Sequence, residues 1–140
     1  MSNITRDIRA ALESHLNGIA GIPTIAWENV SFQPTTGTPF INVQFTPSAR
    51  EPAVRGINPQ KRYTGFITFL VCTPQGSGPN VSQDIVDSIV NAFEVTTDIT
   101  YTNATPETFN IHIRYAEQGG SYVNEPWYVT PINSGYLIYK

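Results

Sequence analysis

The segment FITFLVC, residues 66–72, constrains the fold most, because it is apolar on both faces of any strand that it forms. Strands of this kind lie inside a sheet, with other parts of the chain packed on each face. The segment FINVQF, residues 40–45, instead alternates apolar and polar residues, which is typical of a strand with one face on the core. The sequence therefore predicts a sheet in which residues 61–72 form a central strand.

Two other segments have helical periodicity. In residues 3–17, apolar side chains recur three or four positions apart, at Ile4, Ile8, Ala11, Leu12 and Leu16. In residues 81–94, the predicted apolar stripe consists of Val81, Ile85, Ile89, Ala92 and Phe93, and it is widened by Val86 and Val90. Each stripe predicts an amphipathic helix with one side packed on the sheet.

Further strands are predicted at 24–29, 99–102, 109–117 and 127–140. Pro131 has no N–H to donate, so the last segment is expected at a sheet edge or broken near this residue. The element order is α, β, β, β, α, β, β, β. We therefore expect a single α+β domain, residues 1–140, with two helices packed on one face of a mixed, mainly antiparallel sheet.

A long protruding loop is predicted between two of these strands, where TPSAREPAVRGINPQ spans residues 46–60. Loops of this length in compact domains are often functional. Half of the eight Lys and Arg residues lie in or beside the loop, namely Arg50, Arg55, Lys61 and Arg62, and Glu51 is the only acid among them. One interpretation is a solvated loop whose charges keep a sheet edge soluble. The other is an arm that meets an acidic protein surface or a DNA backbone.

The chain itself carries an acidic surface that such an arm could contact. Asp84, Asp87 and Glu94 lie away from the apolar stripe of the second predicted helix. An arm of one copy on this helix of the next copy would be a heterologous contact, which closes into a ring when the rotation permits. A second loop, 118–126, contains Tyr122 and is followed by Trp127, so we expect these aromatic side chains either at a contact surface or in the core.

The sequence disfavours a nucleotide, a metal or a catalytic centre. Gly76 and Gly78 precede the second helix as in a phosphate-binding loop, but Pro79 follows them without an N–H and the nearest Lys in sequence is Lys61. The single cysteine and the two histidines are too scattered for a metal site, and no nucleophile motif is present. We expect no cofactor, no metal and no enzyme activity.

Composition instead favours contacts with other proteins. Only 14% of the residues are charged, whereas soluble domains usually carry about 25%. A surface poor in Lys and Glu resembles surface that another protein covers. The net charge of −3 does not attract nucleic acid to the whole domain, and no segment approaches 18 consecutive apolar residues. We therefore expect a soluble protein made in a cytoplasm, without a membrane partner.

Four features of the chain resemble the small tail terminator proteins of long-tailed bacteriophages. They are IPTIAWENVSFQPTTGTPFINVQFTP at 22–47, the Arg and Gly of the long loop, the P-x-G-x-G turn before a helix that ends in IVNAF, and the late PWYVTPI. The resemblance spans nearly the whole chain and keeps the order of the elements.

The resemblance implies a structural virion protein that forms a hexameric ring at the head-proximal end of the tail after assembly in the host cytoplasm. Such a ring stops polymerisation of the tail tube and offers a surface to the head's connector. The implied partners are further copies of the chain, the tail tube protein and a head-completion protein, with a passing contact to phage DNA in the lumen. The alternative is another head–tail connector or completion protein of similar fold.

Overall fold

The computed structural model describes residues 4–28, 30–35, 37–52, 61–76, 78–94, 97–102 and 108–139. The elements are α1 (Ile4–Asn17), β1 (Thr24–Ala26), β2 (Phe40–Pro52), β3 (Lys61–Pro74), α2 (Pro79–Ala92), β4 (Asp98–Thr102), β5 (Thr108–Gln118), β6 (Tyr122–Asn124) and β7 (Trp127–Tyr139). They form a seven-stranded sheet in the order β1-β2-β3-β7-β5-β4, and β6 pairs with β7. β1 and β2 are parallel, and the other strand pairs are antiparallel. The predicted α+β class and mixed sheet are confirmed.

The main core lies between the two helices and one face of the sheet. Ile8, Leu12 and Leu16 of α1 are buried there together with Val86, Ile89 and Phe93 of α2. The sheet contributes apolar side chains from β2, β3, β4, β5 and β7. Removing this much apolar surface from water is the main favourable contribution to folding.

The opposite face of the sheet has a second, smaller apolar cluster. Phe40, Cys72 and Val129 are buried on adjacent strands, and Phe32 and Trp127 pack against them. β3 is thus covered on both faces near Cys72. In the strand order of the sheet, it has β7, β5 and β4 on one side and β2 and β1 on the other. The prediction of a central strand is confirmed.

The apolar stripe of α2 differs from the prediction. The helix begins at Pro79, and its buried residues are Ser82, Val86 and Ile89, whereas Val81 is 40% exposed. A polar residue is tolerated on the buried side because the Ser82 hydroxyl donates a hydrogen bond to the carbonyl oxygen of Pro79, at 3.0 Å. The predicted stripe is therefore wrong at Val81.

The first half of the predicted loop of residues 46–60 belongs to a strand. β2 continues to Pro52, and β3 pairs with it up to Lys61. A β-bulge between Pro47 and Ala49 lets the strand continue past its proline. The long protruding loop is not confirmed, because residues 46–52 belong to a strand and residues 53–60 lie outside the described residues.

The prediction for Pro131 is wrong, because β7 is unbroken and lies between β3 and β5. The carbonyl oxygen of Pro131 accepts a hydrogen bond from the Gly119 N–H at 2.8 Å. The N and O atoms of one strand residue point to the same side, so the missing N–H faces the β5 side. The β5 ladder ends there, at Gln118 opposite Ile132, so no ladder hydrogen bond is lost.

Two glycines allow tyrosine rings to lie against the sheet on opposite faces. Gly65 pairs with Tyr136, and a Cβ atom on Gly65 would lie 2.6 Å from the Tyr136 hydroxyl. Gly135 pairs with Tyr115, and a Cβ atom on Gly135 would lie 2.3 Å from that ring. The Tyr136 ring also stacks on Phe45, with centroids 5.7 Å apart. Glycine is therefore required at both positions for close packing.

Candidate assembly surfaces

The basic arm consists of the outer ends of β2 and β3. Their register places Glu51 opposite Arg62 and Pro52 opposite Lys61, with Arg50 one pair further in. Lys61 is exposed and Arg62 is half-buried. Four of the predicted arm residues thus lie on one two-stranded ribbon, whereas Arg55 lies outside the described residues.

The acidic surface lies on α2 and directly after it. Asp84, Asp87 and Glu94 are all exposed. Asp87 accepts a hydrogen bond from the Gln83 side chain at 2.8 Å. Gln83 also exchanges side-chain hydrogen bonds with Gln118 of β5, at 3.1 and 3.2 Å. These contacts hold the acidic side of α2 at a defined place on the sheet.

The basic arm and the acidic surface lie far apart within one subunit. α2 ends beside Phe69, whose ring centroid lies 5.0 Å from that of Phe93. Lys61 is eight residues from Phe69 along β3, which corresponds to about 26 Å at about 3.3 Å per residue. This separation is too great for an ion pair. The two surfaces can meet only between copies.

The two aromatic residues of the predicted contact surface differ in their environment. Tyr122 on β6 is 47% exposed, and its neighbour Val123 is 52% exposed. Trp127 is half-buried, and its ring lies edge-on against Phe40 with centroids 4.9 Å apart. Tyr122 is thus available for a contact, whereas Trp127 mainly packs in the second apolar cluster.

The histidines have protein partners. His15 Nε2 lies 2.7 Å from the carbonyl oxygen of Ala92 and so links the ends of the two helices. His112 Nδ1 lies 2.7 Å from Asp98 on the exposed side of β5 and β4. Across the described ranges, no three His, Cys, Asp or Glu residues are grouped so that they could hold a metal ion. Neither of the described helices is long and apolar enough to cross a membrane.

Sequence reasoning missed a polar cluster at the outer edge of β2. The Glu28 carboxylate accepts a hydrogen bond from the backbone N–H of Phe45 and lies 3.4 Å from Arg9 Nη1. Arg9 also lies 4.0 Å from Glu13, and its guanidinium is 5.0 Å from the centroid of the Phe45 ring. Burial raises the pKa of Glu13, and the nearby Glu28 charge adds to this rise. The sequence gives no signal for this cluster, because its members lie on α1, on β2 and between β1 and β2.

The fold defines a class of protein: a small α+β protein in which two helices cover one face of a mixed, mainly antiparallel sheet. The chain belongs to the phage tail terminator protein family, whose model matches residues 7–136. It is therefore a structural protein of a bacteriophage tail. The suspected family resemblance is confirmed.

Comparison with other proteins adds support for the fold. One solved structure, of a protein without a functional name, is similar to the chain with a TM-score of 0.71. The two sequences are 21% identical, and the match covers 99% of this chain and 96% of the other. No curated protein sequence matches the chain. The structural match shows that this arrangement of helices and strands occurs in another protein.

Proposed function

We propose that this protein forms a ring of six identical subunits that caps the tail tube, stops its polymerisation and provides the surface for head joining. The observation that carries the proposal is the match of a tail terminator family model to residues 7–136. The partners of this ring are the tail tube protein on one side and a head-completion protein on the other. Phage DNA passes through its lumen, and the ring assembles in the host cytoplasm before it becomes part of the virion.

The separation of charged surfaces supports a ring contact. In the proposed interface, the basic arm of one subunit (Arg50, Glu51, Arg55, Lys61 and Arg62) contacts the acidic surface of the next (Asp84, Asp87 and Glu94). Because the two surfaces differ and lie far apart on one subunit, the contact is heterologous, and it closes into a ring when the rotation between subunits permits. Tyr122 and the neighbouring Trp127 add aromatic contact area, which often contributes strongly at interfaces.

The mass of the native assembly tests the ring directly. Light scattering or native mass spectrometry should give six times the subunit mass of 15.5 kDa, alone or on tube ends. A monomer at high concentration that also fails to bind tube ends would contradict the proposal. In the phage, loss of the protein should give overlong tails. Tails of normal length that lack heads would instead indicate a completion protein.

Charge reversal tests the interface. Lys61→Glu with Arg62→Glu should weaken assembly, because each exposed ion pair contributes about 0.2–1 kcal/mol and the reversed charges repel. Two pairs correspond to roughly a tenfold rise in the concentration needed for half-assembly, measured by analytical ultracentrifugation. Asp84→Lys with Asp87→Lys on the same chain should restore assembly.

The control for this experiment is Arg114→Glu, which reverses one charge, half of the change made by the double variant, at an exposed residue of β5. It should assemble like the wild type. All variants should show wild-type thermal unfolding, so that weaker assembly is not a loss of fold. Unchanged assembly of the arm variant, or no restoration by the second pair, would show that the arm does not contact α2.

A further inference from the structure

The outer edge of β2 is covered by another strand over only a short stretch. β1 pairs with Phe40, Ile41 and Asn42, whereas β3 pairs with the other side of β2 as far as Pro52. Within the ranges that the structure describes, no strand pairs with the outer side of β2 from Val43 onward. A free edge of this kind presents N–H and C=O groups that can pair with a strand of another molecule.

Glu28 occupies this edge. Its carboxylate oxygen Oε1 accepts the hydrogen bond of the Phe45 N–H, so this N–H points away from β3. Ladder positions alternate in direction along a strand, so the next outward position is residue 47. Pro47 has no N–H to offer, and the β-bulge between Pro47 and Ala49 then shifts the register. From Phe45 onward, an approaching strand would meet one donor already bonded, one donor missing and then an interrupted spacing.

Arg9 holds Glu28 in place at this edge. Its Nη1 lies 3.4 Å from the Glu28 carboxylate, and its guanidinium lies over the Phe45 ring, 5.0 Å from the centroid. The backbone of α1 and the Phe45 ring of β2 thus hold the Arg9 side chain in place, and Arg9 in turn holds the Glu28 carboxylate. A charge-assisted hydrogen bond held in this way is stronger than one between neutral groups.

We propose that Glu28 is an edge guard, a side chain that prevents a strand of a second copy from pairing with the outer edge of β2. Pairing of this edge with β4, the strand at the opposite edge of the sheet, has no built-in end, because each added copy presents both edges again. With the β2 edge blocked, copies associate through their side-chain surfaces. The guard is a property of one subunit. It would fit the closed ring proposed above, but it does not depend on that ring.

The test compares three substitutions of Glu28 with the wild type at equal protein concentration. Glu28→Ala removes the acceptor, and Glu28→Asp keeps the charge but shortens the side chain by one methylene group. Both should form species larger than the wild-type assembly in light scattering, with an added infrared signal of intermolecular β-sheet. Glu28→Gln keeps an acceptor oxygen and should have the wild-type size. Glu13→Ala, which removes the other carboxylate near Arg9, is the matched control and should also have the wild-type size.

Hydrogen exchange of the Phe45 amide provides a second measurement, made at a protein concentration at which light scattering detects no larger species, so that a strand of another copy does not protect this amide. Exchange should be about tenfold to a hundredfold faster in Glu28→Ala than in the wild type, since a hydrogen bond to a charged group corresponds to a factor of this size. The rate in Glu28→Gln should lie between those of the wild type and Glu28→Ala, because the amide oxygen still accepts the hydrogen bond but without the charge. The proposal is overturned if Glu28→Ala and Glu28→Asp keep the wild-type size and exchange rate. It is equally overturned if Glu28→Gln enlarges as they do.

Discussion

Replacing Gly65 by alanine measures how tightly β2, β3 and β7 pack around Tyr136. The added methyl group would lie 2.6 Å from the carbonyl oxygen of Thr46 and 2.6 Å from the Tyr136 hydroxyl. Real Cβ atoms are essentially never this close to a neighbour, so an atom must move. The Thr46 oxygen is part of the β2 backbone, and Tyr136 is only 1% exposed, so neither can move cheaply.

The expected loss of stability in Gly65→Ala follows from these two contacts. Adding a methyl group to a packed core lowers the free energy of unfolding by about 1–3 kcal/mol. Because one of the two neighbours is a backbone atom, we expect Gly65→Ala to lie in the upper part of this range, at about 2–3 kcal/mol. In a domain of this length, 1 kcal/mol corresponds to about 3–4 °C in Tm, so the midpoint should fall by roughly 7–10 °C. Thermal unfolding followed by circular dichroism measures the shift at a fixed protein concentration.

Two other glycines serve as controls for this substitution. A Cβ on Gly120 would have no atom within 4 Å, so Gly120→Ala should change the stability by less than about 0.5 kcal/mol. A Cβ on Gly135 would meet only atoms of the half-buried Tyr115 ring, which can rotate outward, so Gly135→Ala should have an intermediate effect. A wild-type midpoint for Gly65→Ala, or an equal fall for Gly120→Ala, would refute the reasoning.

The remaining predictions concern two buried weak acids, the Tyr136 hydroxyl and the Cys72 thiol. Burial raises the pKa of Tyr136 to about 12 and the pKa of Cys72 to about 11, from 10.0 and 9.0. As the pH rises, these two groups lose their protons in the unfolded chain before they do so in the folded protein. Their contribution to the free energy of unfolding is therefore complete below about pH 9 and falls between about pH 9 and 12. Tyr136→Phe should reduce this fall, measured as urea midpoints at pH 8 and pH 11. At pH 8 the Cys72 thiol should react with a thiol reagent roughly a hundredfold slower in the native than in the unfolded protein, because its thiolate fraction is about a hundredth as large. Equal rates, or a Tyr136→Phe profile identical to that of the wild type, would contradict these two expectations.

The pattern of apolar residues predicts the elements of the core better than it predicts their ends. The class, the order of the elements apart from the short strand β6, and the central position of β3 all follow from local periodicity. The extent of β2 does not, because Pro47 and Ser48 are typical of a loop and only pairing with β3 makes them part of a strand. The position of β7 does not follow either, since a proline inside a sheet depends on where the neighbouring ladder ends.

The assembly surfaces are predicted in part. Clustering of charge along the sequence brings Arg50, Lys61 and Arg62 onto one ribbon, because a hairpin pairs residues that are close in sequence. Their distance from the acidic side of α2 depends on how the helix crosses the sheet, which periodicity does not specify. Glu28 and Arg9 are nineteen positions apart on different elements, so only the folded chain brings them together.

The position of β7 has a consequence for the time at which a subunit becomes ready to assemble. In the sheet formed by the described residues, β1, β2 and β3 form one group of paired strands, β4 and β5 form another, and β7 pairs with both groups. Its partners in β3 lie more than fifty positions earlier in the chain, so this pairing is a slow, non-local step. During translation, the sides of β3 and β5 that pair with β7 stay unpaired until residues 127–139 leave the ribosome. The complete sheet can therefore form only after synthesis has passed this strand.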